Sequence, residues 1–418
     1  MWLFDRDLWD EVFSTLTKNM LRTVLTTLGV IFAIIILILL LGSATGMING
    51  FDKIFAGKAS NSLFVWGQET SMPYKGFERG RRVSYEMDDI DLLMEQVDEI
   101  DIISPRIELG GFQEATTVKR EGNTSGSRVF GDFATIDRIN RKKIVEGRFI
   151  NQNDVDAAKK VAVIGTETYE LLFKAGISAI GKQISVNNIY FTVVGVYEKS
   201  GDFDFDGENA VIIPFTTFQR SFGSGDEVGW MAVLVKSQFP VAVAQSKIKE
   251  LLKKKYDIHP DDNRAIGSFD FSQIFTAISA FTTVLQGFAF FVGIFTLLAG
   301  VIAVSNILLI TVKERTKEIG VRRALGATPK VIKRQIILES VVLTTVAGAV
   351  GFIVAVALLY LLNTQVAGKT DAPFVNPTVS MTQVIASFAL MALLSILIGL
   401  IPANRATKIK PIEALRED

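Results

Sequence analysis

Four long stretches without a charged side chain constrain the fold of this 418-residue chain more than any other feature. They cover residues 23–51, 271–312, 340–368 and 372–404. A helix needs about 20 mainly apolar residues to cross a bilayer, so each stretch is long enough for one crossing. A cleaved signal peptide is the alternative for the first stretch, but 22 mixed residues precede it, where a signal peptide has a short charged segment. We therefore predict four transmembrane helices.

The second stretch is longer than one crossing requires. As a single helix, residues 271–312 would be about 60 Å long, roughly twice the thickness of the hydrocarbon core. Hydroxyl and amide side chains are frequent in residues 271–284. We therefore expect that part to stand outside the bilayer and residues 285–312 to cross it.

Charge in the loop between the second and third stretches sets the predicted orientation. Residues 313–335 hold eight Lys or Arg and two Glu, so the positive-inside rule makes this loop cytoplasmic. Both termini then lie inside the cell, and one large domain lies outside it. The predicted fold class is a membrane α-helical protein with four transmembrane helices and a large α+β extracytoplasmic domain inserted between the first and second helices.

The predicted segments follow one another along the whole chain. They are an interfacial amphipathic helix (1–22), the first span (23–47), the extracytoplasmic domain (48–275), a helical stalk with the second span (276–312), a cytoplasmic loop (313–335), the third span (336–362), a short outside loop (363–379), the fourth span (380–403) and a cytoplasmic tail (404–418). Trp2 and Trp9 on the apolar side of the first helix suit the membrane interface, and packing on a partner protein is the alternative.

The extracytoplasmic domain shows both strand and helix patterns. Apolar runs or alternation predict strands at 63–66, 161–164, 189–196, 211–213 and 230–235, and helical periodicity is found at 85–97, 167–174 and 241–256. Asn187 and Asn188 predict a hairpin turn, because asparagine tolerates the positive φ that such turns require. Residues 119–128 and 199–208, which are rich in Gly, Ser and Asp, are predicted loops.

Composition excludes several kinds of chemistry. The chain has no Cys and a single His, His259, which rules out thiol catalysis, disulfides and the common Cys- or His-ligated metal sites. Its 44 Lys and Arg equal its 44 Asp and Glu, whereas a nucleic-acid-binding protein usually carries excess positive charge. The charge-free stretches lack the ionisable groups of ion-coupled transporters. We expect no catalytic residue, bound metal or cofactor, and no nucleic-acid partner.

Two segments have an incomplete likeness to ligand-binding motifs. Residues 176–183 approach a phosphate-binding P-loop, but Gln183 replaces the required Ser or Thr, and a helix precedes and a strand follows where the P-loop has the opposite order. Asp202, Asp204 and Asp206 alternate as calcium ligands do, but neither a distal Glu nor flanking helices accompany them. We interpret the first segment as unrelated to nucleotide and the second as a solvated acidic loop.

The cytoplasmic loop has internal order. Residues 313–325 have helical composition, Glu318 stands four residues before Arg322, and Gly326 can end the helix. Thr328 and Pro329 can begin the next helix. The loop is therefore predicted to be a short charged helix and a tight turn that lead into the third span, and an ordinary solvated basic loop is the alternative.

The same loop resembles the signature of the MacB/FtsX-type ABC permease family. Residues 312–327 read VKERTKEIGVRRALGA, similar to the family's segment after its second span. RTVLTTLG at 22–29, EGRF at 146–149 with IGKQI at 180–184, and PIEALR at 411–416 are similar to its other conserved segments. The resemblance extends over essentially the whole chain.

The resemblance implies a non-catalytic permease subunit without a fused ATPase domain, served by a separate cytoplasmic ABC ATPase that uses ATP and Mg²⁺. It also implies a second permease copy, in a homodimer or a heterodimer. By the match, a set of residues in the cytoplasmic loop would form the ATPase-coupling segment: Arg315, Glu318, Gly320, Arg322, Arg323, Gly326 and Ala327. On the third span, Ala347, Gly351 and Ala355 place small residues at four-residue spacing, where they permit close helix packing; lipid-facing residues are the alternative.

The expected function is the transmission of conformational change from a partner ATPase to a periplasmic domain, in a multi-pass protein of the bacterial inner membrane. Export of a periplasmic peptide, antibiotic or toxin through an adaptor and an outer-membrane duct is the leading version. The alternatives are a lipoprotein-releasing permease, an activator of a cell-wall hydrolase, and a membrane scaffold or sensor that does not use ATP.

Overall fold

The computed structural model describes residues 20–111, 114–174, 176–366 and 374–408. Most of the predicted interfacial helix 1–22 lies outside these residues. The chain divides into two compact units. We call Asp52–Ser279 the inserted domain, and the described residues of Met1–Phe51 and Ala280–Asp418 the helical unit.

Helices and strands alternate in the inserted domain, and helices alone make the helical unit. The helices are α1 (Met20–Ile54), α2 (Met87–Gln96), α3 (Gln152–Asp156), α4 (Thr166–Leu172), α5 (Phe215–Phe222), α6 (Val241–Lys255), α7 (Phe271–Glu314), α8 (Thr316–Ala324), α9 (Pro329–Val366) and α10 (Met381–Thr407). The strands are β1 (Ser62–Gly67), β2 (Tyr85–Glu86), β3 (Ile100–Glu108), β4 (Thr116–Arg120), β5 (Asn123–Asp132), β6 (Lys143–Gly147), β7 (Val161–Gly165), β8 (Gln183–Val186), β9 (Ile189–Glu198), β10 (Ala210–Pro214), β11 (Glu227–Val228), β12 (Trp230–Val235) and β13 (Ile266–Asp270).

Four of the described helices, α1, α7, α9 and α10, are long and apolar enough to cross a membrane. The predicted fold class is confirmed, because these four helices are present and the inserted domain lies between the first and the second. Helix α7 continues without interruption for 44 residues. At 1.5 Å per residue it is about 66 Å long.

Small and hydroxylated residues mark the contacts between helices of the helical unit. A Cβ atom added at Gly300 of α7 would lie 3.0 Å from the carbonyl oxygen of Gly29, so α1 and α7 are in backbone contact there. Between α9 and α10, the hydroxyls of Ser340 and Ser395 are 3.0 Å apart, and Thr344 Oγ1 lies 3.1 Å from Ser395 Oγ. Close backbone approach and hydrogen bonds between helices are typical of membrane bundles, in which lipid is as apolar as the side chains.

One large mixed sheet organises the inserted domain. Its strand order is β10-β7-β9-β8-β4-β5-β3-β12-β1-β13, with β6 on β9. Because β10 also pairs with β5, the first six strands of this order close into a ring, and the last four extend from it. β13 ends at Asp270 and α7 begins at the next residue, so an edge strand of the sheet leads directly into a predicted span.

Several local predictions for the inserted domain are confirmed. Strands occupy the five predicted positions, and Asn187 and Asn188 have φ angles of 46° and 65° in the turn between β8 and β9. The helix predicted at 85–97 begins two residues later, at Met87. There, Glu86 and Asp89 form a capping box, and Tyr85 with Glu86 belongs to a strand that pairs with β11.

The prediction of a loop at residues 119–128 is wrong. These residues belong to the antiparallel hairpin of β4 and β5, which turns at Glu121 and Gly122. The β5 side chains that face inward near the turn are Ser125 and Ser127, whose hydroxyls are 2.8 Å apart and fully buried. Serine and glycine hide the alternation on which strand prediction depends, because polar side chains occupy the inward positions.

Candidate functional site

A short charged helix joins α7 to α9. Helix α7 ends at Glu314, and Arg315, with φ −94° and ψ 15°, precedes α8. Gly326 has a φ of 102° after α8, and Pro329 is the first residue of α9. The predicted helix, glycine turn and proline start are confirmed, with a break at Arg315 that the sequence did not indicate.

Arginine and glutamate side chains form a network around this break. Arg315 donates from Nε and Nη2 to the two carboxylate oxygens of Glu318, at 3.0 and 3.1 Å, and from Nη1 to Glu339 Oε1 at 3.2 Å. Glu318 Oε1 also accepts from Arg322 Nη2 at 2.8 Å. Paired N–H···O contacts between arginine and carboxylate are among the stronger hydrogen bonds in proteins. The network therefore links α8 to the adjoining ends of α7 and α9.

Glu339 is a member of the network that sequence reasoning did not assign. It lies one residue before the third charge-free stretch and within the predicted third span, and only 3% of its surface is exposed. A carboxylate buried at that depth is costly unless it is paired, and Arg315 provides the pairing. In the sequence, Glu339 is a single acidic residue at the end of a predicted span, after a basic loop. That position indicates a charge paired with a basic residue.

A small cavity lies beside the network. It has a volume of about 20 Å³, and its lining includes Thr311, Arg315, Gln335 and Glu339. That volume is enough for about one water molecule. The buried Gln335 also accepts from Arg322 Nη1 at 3.4 Å. The cavity is thus part of the polar junction and too small for a ligand.

Helix α8 is also attached to α10. Arg323 Nη1 donates to the carbonyl oxygen of Thr407, at 2.9 Å. Thr407 is the last residue of α10. A cation is favourable there because the unpaired carbonyl groups at the C-terminus of a helix carry partial negative charge. Beneath these polar contacts lies an apolar cluster from α7, α8, α9 and α10: Val312, Ile319, Ile332, Ile336, Ala403 and Ala406.

The remaining residues of the predicted coupling segment lie outside the ion-pair network. Gly320 is buried in α8, Ala327 is half-buried, and Gly326 is exposed in the turn. Next to Gly326, the apolar side chain of Leu325 is 84% exposed. The structure thus places Arg315, Glu318 and Arg322 together and leaves the tip of the turn as an open surface.

The small residues predicted on the third span lie against other helices. Ala347 and Ala355 are buried in a cluster that includes Ile34 of α1. A Cβ atom added at Gly351 would lie 2.8 Å from the carbonyl oxygen of Ile31. Helix α9 therefore contacts the backbone of α1 at Gly351.

The interpretation of residues 199–208 as a solvated acidic loop is wrong for two of the three aspartates. Asp204 and Asp206 have side chains that are 3% and 1% exposed. Lys142 Nζ lies 2.6 Å from Asp204 Oδ2 and 2.7 Å from Asp206 Oδ2, and Lys58 Nζ lies 3.1 Å from Asp204 Oδ1. The segment is a loop, as predicted. Its two buried carboxylates are paired with lysines from distant parts of the chain.

Arg106 completes this buried cluster. Its guanidinium is fully buried and contacts Asp132 and Asp206, the latter at 2.7 Å. Burial raises the pKa of Asp132 to about 6. Burial also opposes ionisation of Asp206, but Arg106 and Lys142 outweigh it and hold the pKa of Asp206 well below its usual range. Among the described residues, no His, Cys, Asp and Glu side chains are grouped so that they could hold a metal ion.

The segment with a partial likeness to a P-loop lies between α4 and β8. A helix before and a strand after is the predicted order, and it is confirmed. The helix that follows a P-loop, and whose N-terminus binds phosphate, is replaced by β8.

Four helices long and apolar enough to cross a membrane, one large domain inserted after the first of them, and a charged helix between the second and third define a multi-pass membrane protein. Comparison with known families gives the particular class. Residues 23–251 match the MacB-like periplasmic core domain, and residues 290–411 match the FtsX-like permease C-terminal domain. The first match alone covers more than half of the chain, so the protein belongs to the MacB/FtsX-type ABC permease family.

Relatives with export functions are similar over nearly all of the chain. The macrolide export ATP-binding/permease protein MacB of Bdellovibrio bacteriovorus is 28% identical over 406 residues, which are 97% of this chain and 60% of that protein. The pyoverdine export ATP-binding/permease protein PvdT of Pseudomonas syringae pv. tomato is 28% identical over 407 residues, 96% of this chain and 58% of that protein. The chain thus spans about three fifths of the length of these relatives.

Solved structures resemble about half of the chain. The periplasmic region of MacB from Actinobacillus actinomycetemcomitans is 17% identical, with a TM-score of 0.42, over 53% of this chain and 94% of that one. Family membership therefore rests on the sequence matches.

Proposed function

We propose that this chain is the permease subunit of a MacB-type ABC transporter. A cytoplasmic ATPase hydrolyses ATP with Mg²⁺, and this chain, which binds neither, transmits the resulting movement to the inserted domain. The observation that carries the proposal is the network that joins Arg315, immediately before α8, to Glu339 of α9, and Arg323 of α8 to Thr407 of α10.

Because of this network, a force on α8 acts on several spans at once. Arg315 lies at the end of α7, and its two carboxylate partners lie on α8 and α9. Arg323 adds the end of α10. A partner that displaces α8 would therefore displace the adjoining ends of three membrane helices together.

The tip of the turn after α8 is the surface that we assign to the ATPase. Leu325 is 84% exposed, and Val321 and Val331 are 42% and 52% exposed. Exposed apolar side chains on a charged loop suit burial against another protein. Arg322 and Arg323 are half-buried and bonded within the helical unit, so their role is to hold α8 in place.

Helix α7 is suited to carry the movement outward. Its first residue, Phe271, is fully buried, and its ring centroid lies 5.4 Å from that of Phe64 on β1. Asp270 Oδ1 accepts from the backbone N–H of Ser272 at 2.8 Å, which caps the start of the helix. The helix therefore begins as a fixed part of the inserted domain and continues to the coupling network at its other end.

The export of a periplasmic peptide, antibiotic or toxin is the substrate class that we propose, with a second permease copy, a periplasmic adaptor and an outer-membrane duct as partners. The support is that the relatives that match nearly all of this chain are named as exporters. In this proposal the protein lies in the bacterial inner membrane among its lipids, and both termini are cytoplasmic, as the basic loop 313–335 predicts.

A tagged pull-down from native membranes in mild detergent tests the proposal. Recovery of an ATPase with an adaptor is the expected result. An ATPase with lipoproteins and without an adaptor would indicate lipoprotein release, and an ATPase with a cell-wall hydrolase would indicate control of that enzyme. Recovery of no ATPase would overturn the coupling mechanism and favour a scaffold or sensor.

Two matched variants sharpen the test. Leu325→Asp should insert normally and lose the ATPase. Leu171→Asp makes the same change at a 49% exposed position of the inserted domain and should retain it. Equal ATPase recovery from the two variants would rule out the turn after α8 as the contact surface.

A further inference from the structure

A linker of seven residues joins the last turn of α1 to the sheet of the inserted domain. Helix α1 ends at Ile54 and β1 begins at Ser62, and we call residues 55–61 the α1 linker. The return connection has no linker, because β13 ends at Asp270 and α7 begins at Phe271. A segment outside helices and strands is fixed only by the contacts that it makes with its neighbours. Of the two connections, the α1 linker is therefore the one that needs such contacts.

A short segment from a distant part of the inserted domain lies against the end of α1. It comprises residues 201–206, and we call it the 201–206 segment. The backbone N–H of Phe203 donates to the carbonyl oxygen of Ile54 at 2.9 Å, which satisfies one of the carbonyls left unpaired at the end of a helix. At Gly201, an added Cβ atom would lie 2.5 Å from the same oxygen and 2.8 Å from the backbone nitrogen of Ala56. The two backbones are therefore in direct contact.

Aromatic side chains connect this segment to the start of α7. The ring centroid of Phe203 lies 5.4 Å from that of Phe55 in the α1 linker and 5.8 Å from that of Phe271, the first residue of α7. Phe55 also contacts Phe275 of α7, with centroids 5.6 Å apart. Aromatic pairs at these separations are more favourable than their buried area alone would make them. Phe203 thus bridges the α1 linker and α7.

Aspartates of the same segment are paired inside the domain. Asp204 lies 3.1 Å from the Nζ atom of Lys58, in the α1 linker, and 2.6 Å from that of Lys142. Asp206 lies 2.7 Å from Nη1 of Arg106, on β3. None of these five side chains is more than 3% exposed. The α1 linker is therefore bonded to the sheet through the 201–206 segment.

A buried ion cluster suits a positioning role better than a purely stabilising one. Apolar side chains of similar volume are often as stabilising as a buried ion pair, but they permit more than one arrangement. The cluster holds three cations and three anions, each with a partner of opposite sign: Lys58, Arg106, Lys142, Asp132, Asp204 and Asp206. A shift of the α1 linker would pull Lys58 out of this balance and leave a buried charge unpaired. Charge as well as packing therefore holds the linker in one place.

We propose that the 201–206 segment is a positioning element, which fixes the last turn of α1 to the first turns of α7 so that no movement is lost in the α1 linker. Phe203 makes the contact with α7, and the next residue, Asp204, holds the linker through Lys58. The inference deepens the proposed function, because it rests on the transmission of movement to the inserted domain and names the residues that transmit it from α1.

A spin-label distance measurement on the full chain in membranes tests this role. The natural sequence has no Cys, so Asp52→Cys and Gln96→Cys place one label on the last turn of α1 and one on α2, both at exposed positions. Dilution with unlabelled chain ensures that the pair within one chain is measured. We expect a narrow distance distribution in the natural background and a clearly broader one with Phe203→Ala. Phe77→Ala is the matched control, since Phe77 is 45% exposed in another loop of the domain, and it should leave the distribution narrow.

Further variants separate a loosened joint from an unfolded domain. Phe203→Leu keeps an apolar side chain and should restore most of the narrow distribution. Gly201→Ala leaves the aromatic cluster intact, but its methyl group meets the Ile54 carbonyl, so it should broaden the distribution. At Gly126 the nearest atom to an added Cβ is 3.7 Å away, and Gly126→Ala should have no effect. The unfolding temperature of each variant is measured alongside, and Gly201→Ala decides the outcome when Phe203→Ala unfolds the domain.

Two results would overturn the inference. One is a distribution that stays narrow in both Phe203→Ala and Gly201→Ala. The other is a shift or broadening in the natural background when ATP is added to the complex, which would show that the α1 linker bends. The distance measurement without ATP does not depend on the ATPase. Recovery of no ATPase would therefore refute the proposed function, whereas a broad distribution in the natural chain would refute this inference alone.

Discussion

Arg315 and Glu339, 24 residues apart in sequence, form an ion pair of 3.2 Å that joins the end of α7 to α9. Glu339 is almost fully buried, whereas the Arg315 side chain is 22% exposed. The pair therefore lies at the boundary between the apolar bundle and the basic loop. A carboxylate at that boundary holds the arginine against the bundle, and through the arginine it holds α8.

Removal of one partner of this pair should cost more than removal of both. Breaking a buried pair costs about 3–5 kcal/mol, and the partial exposure of Arg315 reduces the expected cost of Arg315→Met to about 1–3 kcal/mol. In the double variant with Glu339→Leu, no unpaired charge is left, so stability should recover in part. Thermal unfolding measures the stability of four purified full-length proteins: the natural protein, the two single variants and the double variant. Strictly additive losses would mean that the pair contributes nothing.

The buried cluster of the inserted domain allows a comparison of adjacent lysines. Lys142→Met leaves Asp204 and Asp206 short of one cation in the interior and should destabilise the domain by about 3 kcal/mol. Lys143→Met removes a side chain that is 67% exposed, and its effect should stay within about 0.5 kcal/mol. Tryptophan fluorescence of a Trp2→Phe, Trp9→Phe background reports unfolding through Trp66 and Trp230. Equal effects of the two lysine changes would contradict the burial of this charge.

Acid should weaken the contact between Asp262 and the segment around Ser71. Burial opposes ionisation of Asp262, but hydrogen bonds from Ser71 and from the backbone N–H groups of Arg264 and Ala265 lower its pKa to about 2. A carboxyl whose pKa is lowered by folding stabilises the protein above its unfolded pKa near 3.8, and that contribution is lost as the pH falls toward 2. Asp262→Asn should therefore cost about 2 kcal/mol at neutral pH, and less below pH 4. A difference from the natural protein that is constant with pH would show that Asp262 is not held ionised.

Close contact between α9 and α1 predicts a penalty for a single methyl group. At Gly351, a Cβ atom would lie 2.8 Å from the Ile31 carbonyl oxygen, which is backbone and cannot turn aside. Gly351→Ala should lower the stability of the full chain in detergent by about 1–3 kcal/mol. Gly287→Ala is the control, because no atom lies within 4 Å of its added Cβ, and it should not destabilise. A neutral Gly351→Ala would mean that the two helices are further apart.

Features that depend on neighbouring residues could be predicted from the sequence, and features that depend on distant partners could not. The four long helices follow from runs without charge, and the α8 turn follows from Gly326 and Pro329. In contrast, Asp206 meets Arg106 across 100 residues and Asp204 meets Lys58 across 146, so an alternating Asp and Phe segment looked solvated. The network at Arg315 includes Glu339, whose isolation in an apolar segment is visible in the sequence but whose pairing with Arg315 is not.

The continuity of α7 predicts that a flexible point within the helix would weaken coupling between its two ends. Its 44 residues connect the capped start at Asp270 with the network at Arg315, so bending stiffness in between is what would transmit movement. Replacing Thr282 and Thr283 by two glycines costs about 1 kcal/mol of helix stability each relative to alanine and creates a flexible point. Thr282→Ala with Thr283→Ala removes the same side chains and keeps the helix. We expect the glycine pair to leave ATP turnover by the complex nearly normal while transport per ATP falls several-fold, and the alanine pair to preserve both. Normal transport in the glycine variant would show that α7 does not act as a rigid rod, because a hinge placed between its two anchored ends would then have no effect on coupling.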